Sequence, residues 1–292
     1  MDLTITVSGH AVLWPGILVL GVVVGYLAGM FGVGGGFIVT PLLSAVFGVP
    51  LEVAAGTSLA QMVGTALVAF LRHQKVKQGE ARFDVLMLAG SILGVDAGTR
   101  AVDALVAAGS LRIAGRSVPW IHVVLDPLYI AFLVIAAAMF WRRGEERARP
   151  RPFARVRWLA VDLPRVGFRV SAPLVAYIGF GLGFVAGLLG VGGGVALMPI
   201  LVFGFGFPFK QAAGTGILVV LATAIVGTIS HALHGHVDLV LAMLLLVGSS
   251  ISAQLGALVM RSSPLERLTR VFVIVVAATI VAVLWSFVRQ LR

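Results

Sequence analysis

The sequence predicts an all-α polytopic membrane protein built from two homologous repeats, and three observations support this. Hydrophobic residues make up 59% of the 292 residues, charged residues make up 12%, and the mean hydropathy is +1.05. A soluble chain of this size needs far more charge to cover its surface. Apolar runs of about 20 residues, the length that spans a bilayer, recur from end to end. The third observation is an internal duplication.

The duplication is visible in the residue letters. Residues 29–58 read GMFGVGGGFIVTPLLSAVFGVPLEVAAGTS, and residues 187–216, 158 positions later, read GLLGVGGGVALMPILVFGFGFPFKQAAGTG. Without a gap, 15 of these 30 positions are identical: Gly29, Gly32, Val33, Gly34, Gly35, Gly36, Pro41, Leu43, Phe47, Gly48, Pro50, Ala54, Ala55, Gly56 and Thr57. Shared hydrophobicity alone does not place glycines, prolines and a threonine in one register. We therefore divide the chain into a first transmembrane repeat (1–141), a basic cytoplasmic linker (142–170) and a second transmembrane repeat (171–292).

Each repeat is expected to contain four full helices and one short apolar piece that follows a glycine break. In the first repeat the helices are expected at about 12–31, 53–71, 83–107 and 120–141, with the break at 32–36 and the short piece at 37–47. In the second repeat they are expected at about 173–189, 211–233, 237–260 and 265–288, with the break at 190–194 and the short piece at 195–205. The prediction is thus eight full transmembrane helices plus two glycine-broken half-helices, with eight to ten crossings.

Basic residues indicate which loops face the cytoplasm. Nine of the 22 lysines and arginines lie in the linker 142–170, and the loop 72–82 is also basic. Both are expected on the cytoplasmic side. The matched loop 231–237 has neither lysine nor arginine, whereas the turn near Arg261 is basic. This asymmetry favours inverted repeats, which require the half-helices to cross; half-helices that re-enter would give parallel repeats instead. Because many of the basic residues lie together in one linker between spans, we expect the lipid bilayer and not nucleic acid as a partner.

The glycine breaks are candidate anion sites. A run of glycines is a poor helix interior, and the helix that restarts after it presents free N–H groups and the positive end of its dipole. Paired broken helices in duplicated halves are typical of transporters that enclose a site near the bilayer midplane. The candidate residues are Gly34, Gly35, Gly36, Gly192, Gly193 and Gly194. The alternative is that small residues merely let helices pack closely.

Hydroxyl and amide side chains follow the short pieces and could complete such a site. Thr57 and Gln61 lie on one stripe of a helix, Ser58 is adjacent, and Thr215 repeats Thr57. The alternative is that these side chains bond to carbonyls of their own helix.

Four ionisable residues are candidates for a proton relay or for gating: Asp96, Arg100, His73 and His231. Charges within a span are costly and are usually functional or paired. Asp96 and Arg100 could instead form an intrahelical ion pair, and the histidines could simply lie at the membrane interface. The spacing of His231, His234 and His236 superficially resembles a metal cluster, but neither a cysteine nor a carboxylate other than Asp238 is near in sequence. We expect no metal and no cofactor.

At these residues the chain resembles the sulfite exporter TauE/SafE family of membrane transporters. The resemblance lies in GMFGVGGGFIVTPLL with AAGTSL, in GLLGVGGGVALMPIL with AAGTGI, and in SHALHGHVDL. It implies movement of sulfite, sulfonates or related organosulfur or sulfur oxyanions across the bacterial inner membrane.

The functional expectation is therefore a secondary transporter of small anions and not an enzyme. No ATP-binding loop of the Walker type is present, so an ion gradient (protons or sodium) or the membrane potential is expected to drive it. A channel-like anion pore and a non-transporting membrane protein are the alternatives. The sequence does not give the oligomeric state.

Overall fold

A computed structural model describes residues 4–7, 10–31, 35–76, 80–113, 116–141, 152–156, 158–164, 166–207, 212, 215–263 and 265–291. Most of this part of the chain is helical. The helices are α1 (Trp14–Phe31), α2 (Gly36–Phe47), α3 (Leu51–Val76), α4 (Ala81–Ala107), α5 (Trp120–Trp141), α6 (Ala172–Leu189), α7 (Gly194–Pro199), α8 (Ile217–Leu233), α9 (Leu239–Ser262) and α10 (Leu265–Leu291). A π-helical turn, Ile200–Phe205, continues α7.

The lengths and compositions of these helices are those of a multi-pass membrane protein. Of the described helices, α3, α4, α5, α6, α9 and α10 are long and apolar enough to cross a membrane. Four shorter apolar helices are α1, α2, α7 with its π-helical turn, and α8. Large aliphatic side chains also lie on the outside, as Ile251 does at 70% exposure.

Two helices that we expected at full length are shorter. Helix α8 begins at Ile217 and not near residue 211, because Gly216 before it has a φ of 91° and lies outside the helical region. Helix α1 begins at Trp14, directly after a strand. The expected eight full spans therefore become six long helices and four shorter ones among the described residues.

Three short β-hairpins correct the expectation of a chain without strands. They are β1 (Thr4–Val7) with β2 (His10–Leu13), β3 (Ser110–Ile113) with β4 (Arg116–Pro119), and β5 (Ala160–Leu163) with β6 (Phe168–Ser171). Each pairs antiparallel outside the long helices. The last lies mostly in the predicted linker, where Arg169 forms an ion pair with Asp162. Alternation over four residues is too short to stand out beside spans of 20 or more, so the sequence analysis missed all three.

Glycine faces join helices of the two halves in two parallel pairs. In the pair α4–α6, a Cβ placed on Gly183 would lie 2.2 Å from the carbonyl oxygen of Ser91. In the pair α1–α9, a Cβ placed on Gly25 would lie 2.4 Å from that of Ser249. The two contacts are equivalent under the offset of the duplication: Gly183 lies 158 positions after Gly25, and Ser249 lies 158 positions after Ser91. Small residues at such crossings let membrane helices approach closely.

Helices α3 and α8, which are also equivalent under the offset, pack antiparallel. Gly56 near the start of α3 faces His231 near the end of α8, and Leu59 faces Gly227 one turn earlier. Two reciprocal hydrogen bonds flank this contact. The Asp238 N–H donates to the Thr57 hydroxyl at 3.0 Å, and the Glu80 N–H donates to the Thr215 hydroxyl at 3.2 Å.

Candidate functional site

The two glycine breaks meet at one serine of α3. The Ser58 hydroxyl donates to the carbonyl oxygen of Gly190 at 2.9 Å and lies 3.5 Å from that of Gly36. The Thr40 hydroxyl of α2 also donates to Gly190 O, at 3.3 Å. Ser58 and Thr40 are both buried. Segments 150 residues apart in sequence are thus joined by hydroxyl groups in the interior.

Each half-helix begins at a break with amides that no side chain caps. Gly35 precedes α2 and Gly193 precedes α7, and neither has a side-chain cap among the described residues. The first amides that bond back into the helix are those of Ile38, to Gly35 O at 3.1 Å, and Leu197, to Gly193 O at 3.0 Å. The N–H groups ahead of these two residues precede the first helical hydrogen bond, which is the usual arrangement at a helix start.

The breaks are also closely packed, as the alternative interpretation of the glycines expects. A Cβ on Gly36 would lie 2.5 Å from the Met62 sulfur, and a Cβ on Gly192 would lie 2.3 Å from the Met62 methyl carbon. Met62 is fully buried and lies between the two breaks. An unbranched thioether chain adapts its shape easily, so this residue can move where a β-branched residue could not.

Gln61 has one buried polar atom without a partner. Its Nε2 donates to the Ser249 hydroxyl at 2.8 Å, which ties α3 to α9. Its Oε1 is buried and has no hydrogen-bond partner among the described residues. Leaving such an acceptor unsatisfied costs about 1–3 kcal/mol. The residue is only 1% exposed, so bulk water does not supply a donor for Oε1.

The structure places Thr57 and Thr215 at helix junctions. Each hydroxyl accepts a backbone N–H from the residue before α9 or α4, as described above, and both side chains are buried. Neither of these bonds reaches a break. Thr223 of α8 does come close: its hydroxyl donates to Val220 O at 3.0 Å and lies 3.5 Å from Gly192 O.

We predict that Thr57→Val lowers thermal stability while Thr57→Ser does not. Valine leaves the half-buried Asp238 N–H without its acceptor, which costs up to about 1–3 kcal/mol, whereas serine retains the hydroxyl. Thermal unfolding of the purified variants in detergent measures the difference. Equal midpoints for the two variants would show that this junction bond contributes nothing.

The candidate relay residues lie in separate surroundings. Asp96 and Arg100 form the intrahelical ion pair named as their alternative, at 2.8 Å, with side chains 45% and 73% exposed. The Ser230 hydroxyl donates to Asp96 at 3.3 Å. His231 is buried, and its Nε2 makes a 2.9 Å hydrogen bond with Gly187 O. Gly34 and the side chain of His73 lie outside the described residues.

A carboxylate from α4 lies beside the histidine turn, the segment 231–236 that carries His231, His234 and His236, and the sequence analysis did not predict this. Asp103 lies 2.9 Å from His234 Nε2 and 3.4 Å from His236 Nδ1. It is 131 residues from His234 in sequence, so spacing could not reveal it. Within the described part of the chain, no group of three or more His, Cys, Asp and Glu side chains is arranged to hold a metal ion.

Tyr129 of α5 is a further residue at the break that sequence analysis missed. It is 2% exposed, and its hydroxyl lies 3.5 Å from Gly36 O. The same side chain lines a small cavity between α2, α5 and α10, together with Ser44, Asp126 and Ser286. A tyrosine whose polar tip is buried inside a span needs a polar partner, and that was the available signal.

Comparisons with known proteins find relatives that are described as probable membrane transporters. The chain is similar to "Probable membrane transporter protein YunE" of Bacillus subtilis (strain 168), with 26% identity over 266 residues that cover 89% of this chain and 93% of the relative. It is 28% identical over 247 residues to "Probable membrane transporter protein YjnA" of the same organism, covering 82% and 88%. A third relative, "Probable membrane transporter protein MJ0441" of Methanocaldococcus jannaschii, is 26% identical over 261 residues, covering 84% and 85%.

No solved structure gave a significant match. The family model described as sulfite exporter TauE/SafE matches residues 17–283. That range contains both glycine breaks, the helices that follow them and the histidine turn. The chain therefore belongs to the sulfite exporter TauE/SafE family of membrane transporters.

Proposed function

We propose that this chain is a secondary transporter that carries a small sulfur oxyanion or sulfonate, such as sulfite, across the bacterial inner membrane. The observation that carries the proposal is the meeting of the two breaks at Ser58, which lies 2.9 Å from Gly190 O and 3.5 Å from Gly36 O. Gly36 is the first residue of α2, and Gly190 is the first residue of the break that leads into α7. The positive end of a helix dipole lies at its start, so we infer that both half-helices present theirs to this region.

The proposed architecture is two inverted repeats, 1–141 and 171–292, joined by the cytoplasmic linker 142–170. The antiparallel packing of α3 and α8 supports it. Equivalent helices that run antiparallel across a membrane are related by an axis in the membrane plane, which is the relation between inverted repeats. In this arrangement the half-helices cross the membrane, and the breaks lie near its midplane.

In the proposed site, amides of the two breaks bind the oxygens of the anion. The contributing residues are Gly34, Gly35, Gly36, Gly192, Gly193 and Gly194, with Ser58 and Gln61 from α3. Met62 would move aside on binding, because it fills the space between the breaks. The unpartnered Gln61 Oε1 could accept a hydrogen bond from the hydroxyl of a protonated oxyanion such as hydrogen sulfite. Thr57 and Thr215 would hold the adjoining helix junctions, with Asp96, Arg100, His73 and His231 acting in gating.

Flux measurements in proteoliposomes test the proposal. Purified protein is reconstituted and offered sulfite, sulfate, thiosulfate, sulfoacetate and, as a carboxylate control, acetate. We expect saturable uptake of at least one sulfur anion, its accumulation against a gradient, and no uptake of acetate above protein-free liposomes. Flux that does not saturate and only dissipates gradients would indicate a channel. Uptake of all five anions equal to that of protein-free liposomes would contradict the proposal.

A further inference from the structure

Asp84 is a buried carboxylate near the start of α4. It is 5% exposed and lies in the first turn of a helix that is long and apolar enough to span the membrane. Among the described residues, no lysine, arginine or histidine forms an ion pair with it. An ionisable side chain at such a place is costly to keep charged, and this is a reason to seek a function for it.

The carboxylate holds the start of the helix that follows the second half-helix. Asp84 Oδ1 accepts the Gly216 N–H at 2.6 Å, and Gly216 is the residue directly before α8. One residue earlier, the Thr215 hydroxyl accepts the Glu80 N–H at 3.2 Å. Two residues one turn apart, Glu80 directly before α4 and Asp84 within it, are therefore hydrogen-bonded to this junction.

The other repeat lacks this carboxylate. Its matched junction has the equivalent bond from the Asp238 N–H to the Thr57 hydroxyl. At the position equivalent to Asp84, however, it has Ala242. A group needed only for the fold would be expected in both junctions, whereas a single coupling group is needed once per chain.

We propose that Asp84 is the group that takes up and releases the proton that couples anion transport to a proton gradient. This inference rests on the proposed transport function. In the ionised state the carboxylate binds the Gly216 N–H strongly, because charge-assisted bonds are about twice as strong as neutral ones. When a proton binds to the carboxylate, this bond weakens and the start of α8 is released from α4. Thr223 of α8 lies 3.5 Å from Gly192 O, so movement of α8 is passed to the second break.

The surroundings of Asp84 favour a proton over a metal cation. Sites for hard cations are shells of oxygen acceptors, whereas the group in contact with Asp84 Oδ1 is an N–H donor. Among the described residues, the charge of Glu80 acts on Asp84, and the segment directly before α8 gives the carboxylate the Gly216 N–H. A proton bound with an anion also reduces the net charge that enters the buried site.

The test is the variant Asp84→Asn, with Asp238→Asn as the matched control. Asparagine keeps an oxygen acceptor for the Gly216 N–H but cannot take up the proton. Asp238 lies before the equivalent helix, α9, and its side chain accepts the Leu241 N–H at 2.9 Å, a cap that asparagine also provides. In proteoliposomes we expect an imposed proton gradient to drive accumulation of labelled sulfite by the wild type and by Asp238→Asn. Asp84→Asn is expected to lose this accumulation while keeping exchange of internal for external sulfite.

Two outcomes would overturn the inference: proton-driven accumulation by Asp84→Asn at the wild-type level, or accumulation driven by sodium alone. A second readout needs no transported substrate and separates failure of this inference from failure of the transport proposal. Several carboxyl groups are buried, Glu80 and Asp126 among them, so the readout is a difference between variants. Infrared difference spectra between alkaline and acid buffer should contain one carbonyl band of a buried carboxylic acid that the wild type and Asp238→Asn share and that Asp84→Asn lacks. Persistence of the band in Asp84→Asn, or its absence from the wild type, would contradict the assignment even if no tested anion is transported.

Discussion

Valine at Gly183 is expected to prevent α6 from packing against α4, whereas valine at Gly181 is expected to leave the fold intact. The two glycines lie two residues apart in one helix, so both changes add the same side chain to the same element. A Cβ on Gly183 would lie 2.2 Å from Ser91 O, a backbone atom that cannot rotate away. A Cβ on Gly181 would meet no atom within 4 Å.

The size of the effect follows from how far the helices must separate. Because ordinary contacts to a Cβ begin near 3.4 Å, α4 and α6 would have to move apart by more than an ångström at Gly183. Overpacking a close contact typically costs about 1–3 kcal/mol, and here backbone faces backbone along a whole helix, so we expect the upper end or more. Since lipid does not drive helices together as water does, lost packing is hard to replace.

Size-exclusion chromatography and thermal unfolding in detergent measure the outcome. Gly181→Val should elute as one peak with the wild-type unfolding midpoint. Gly183→Val should aggregate or unfold well below that midpoint. Similar behaviour of the two variants would mean that α4 and α6 are not in the close contact described here.

Valine at Gly193 is expected to abolish transport while leaving membrane insertion intact. Space is not the obstacle, because the nearest atoms to a Cβ there are 3.8 and 4.0 Å away. The obstacle is the backbone, which has a φ of 70°, a region that a β-branched residue enters only with strain. The strain of about 1–2 kcal/mol falls on the residue that sets the direction of the first amides of α7. The sequence predicts the same loss for valine at Gly35.

Gly48→Val provides the matched control for Gly193→Val. Gly48 has a φ of 69° and no atom within 4 Å of a Cβ, so valine is strained there in the same way. It follows the far end of α2, away from the breaks. We expect Gly48→Val to keep most of the wild-type flux in proteoliposomes and Gly193→Val to lose it, at equal protein incorporation. Equal flux from the two variants would show that transport does not depend on the backbone conformation of the second break.

The sequence predicts the position of the breaks and of most helices because glycine runs and apolar lengths are local signals. Helix α5, Trp120–Trp141, begins and ends where expected, and the half-helices begin within a residue of the predicted starts. The start of α8 was predicted too early. The Gly216 N–H is hydrogen-bonded to Asp84, 132 residues away, and the sequence alone does not reveal this contact.

The long-range partners in the candidate site could not be predicted from spacing. Ser58 and Gly190 are separated by 132 residues, and nothing local pairs them. The sequence does not single out Asp84, because the residue lies near the end of a span, where an interfacial charge is ordinary. The duplication holds some of this information, however. Once the contact of Thr57 with Asp238 is known, adding or subtracting 158 gives the contact of Thr215 with Glu80.

A cysteine-protection experiment tests the central claim most directly, because the chain has no native cysteine. Ser58→Cys places one thiol where the two breaks meet, and Ser110→Cys places one at an exposed position of the hairpin β3–β4 as a control. The measurement is the rate of alkylation by iodoacetamide in proteoliposomes, with sulfoacetate or acetate added at equal ionic strength. We predict that sulfoacetate slows alkylation of Cys at position 58 in a saturable way, that acetate does not, and that neither anion affects position 110. An alkylation rate at position 58 that no sulfur anion changes would contradict anion binding between the breaks.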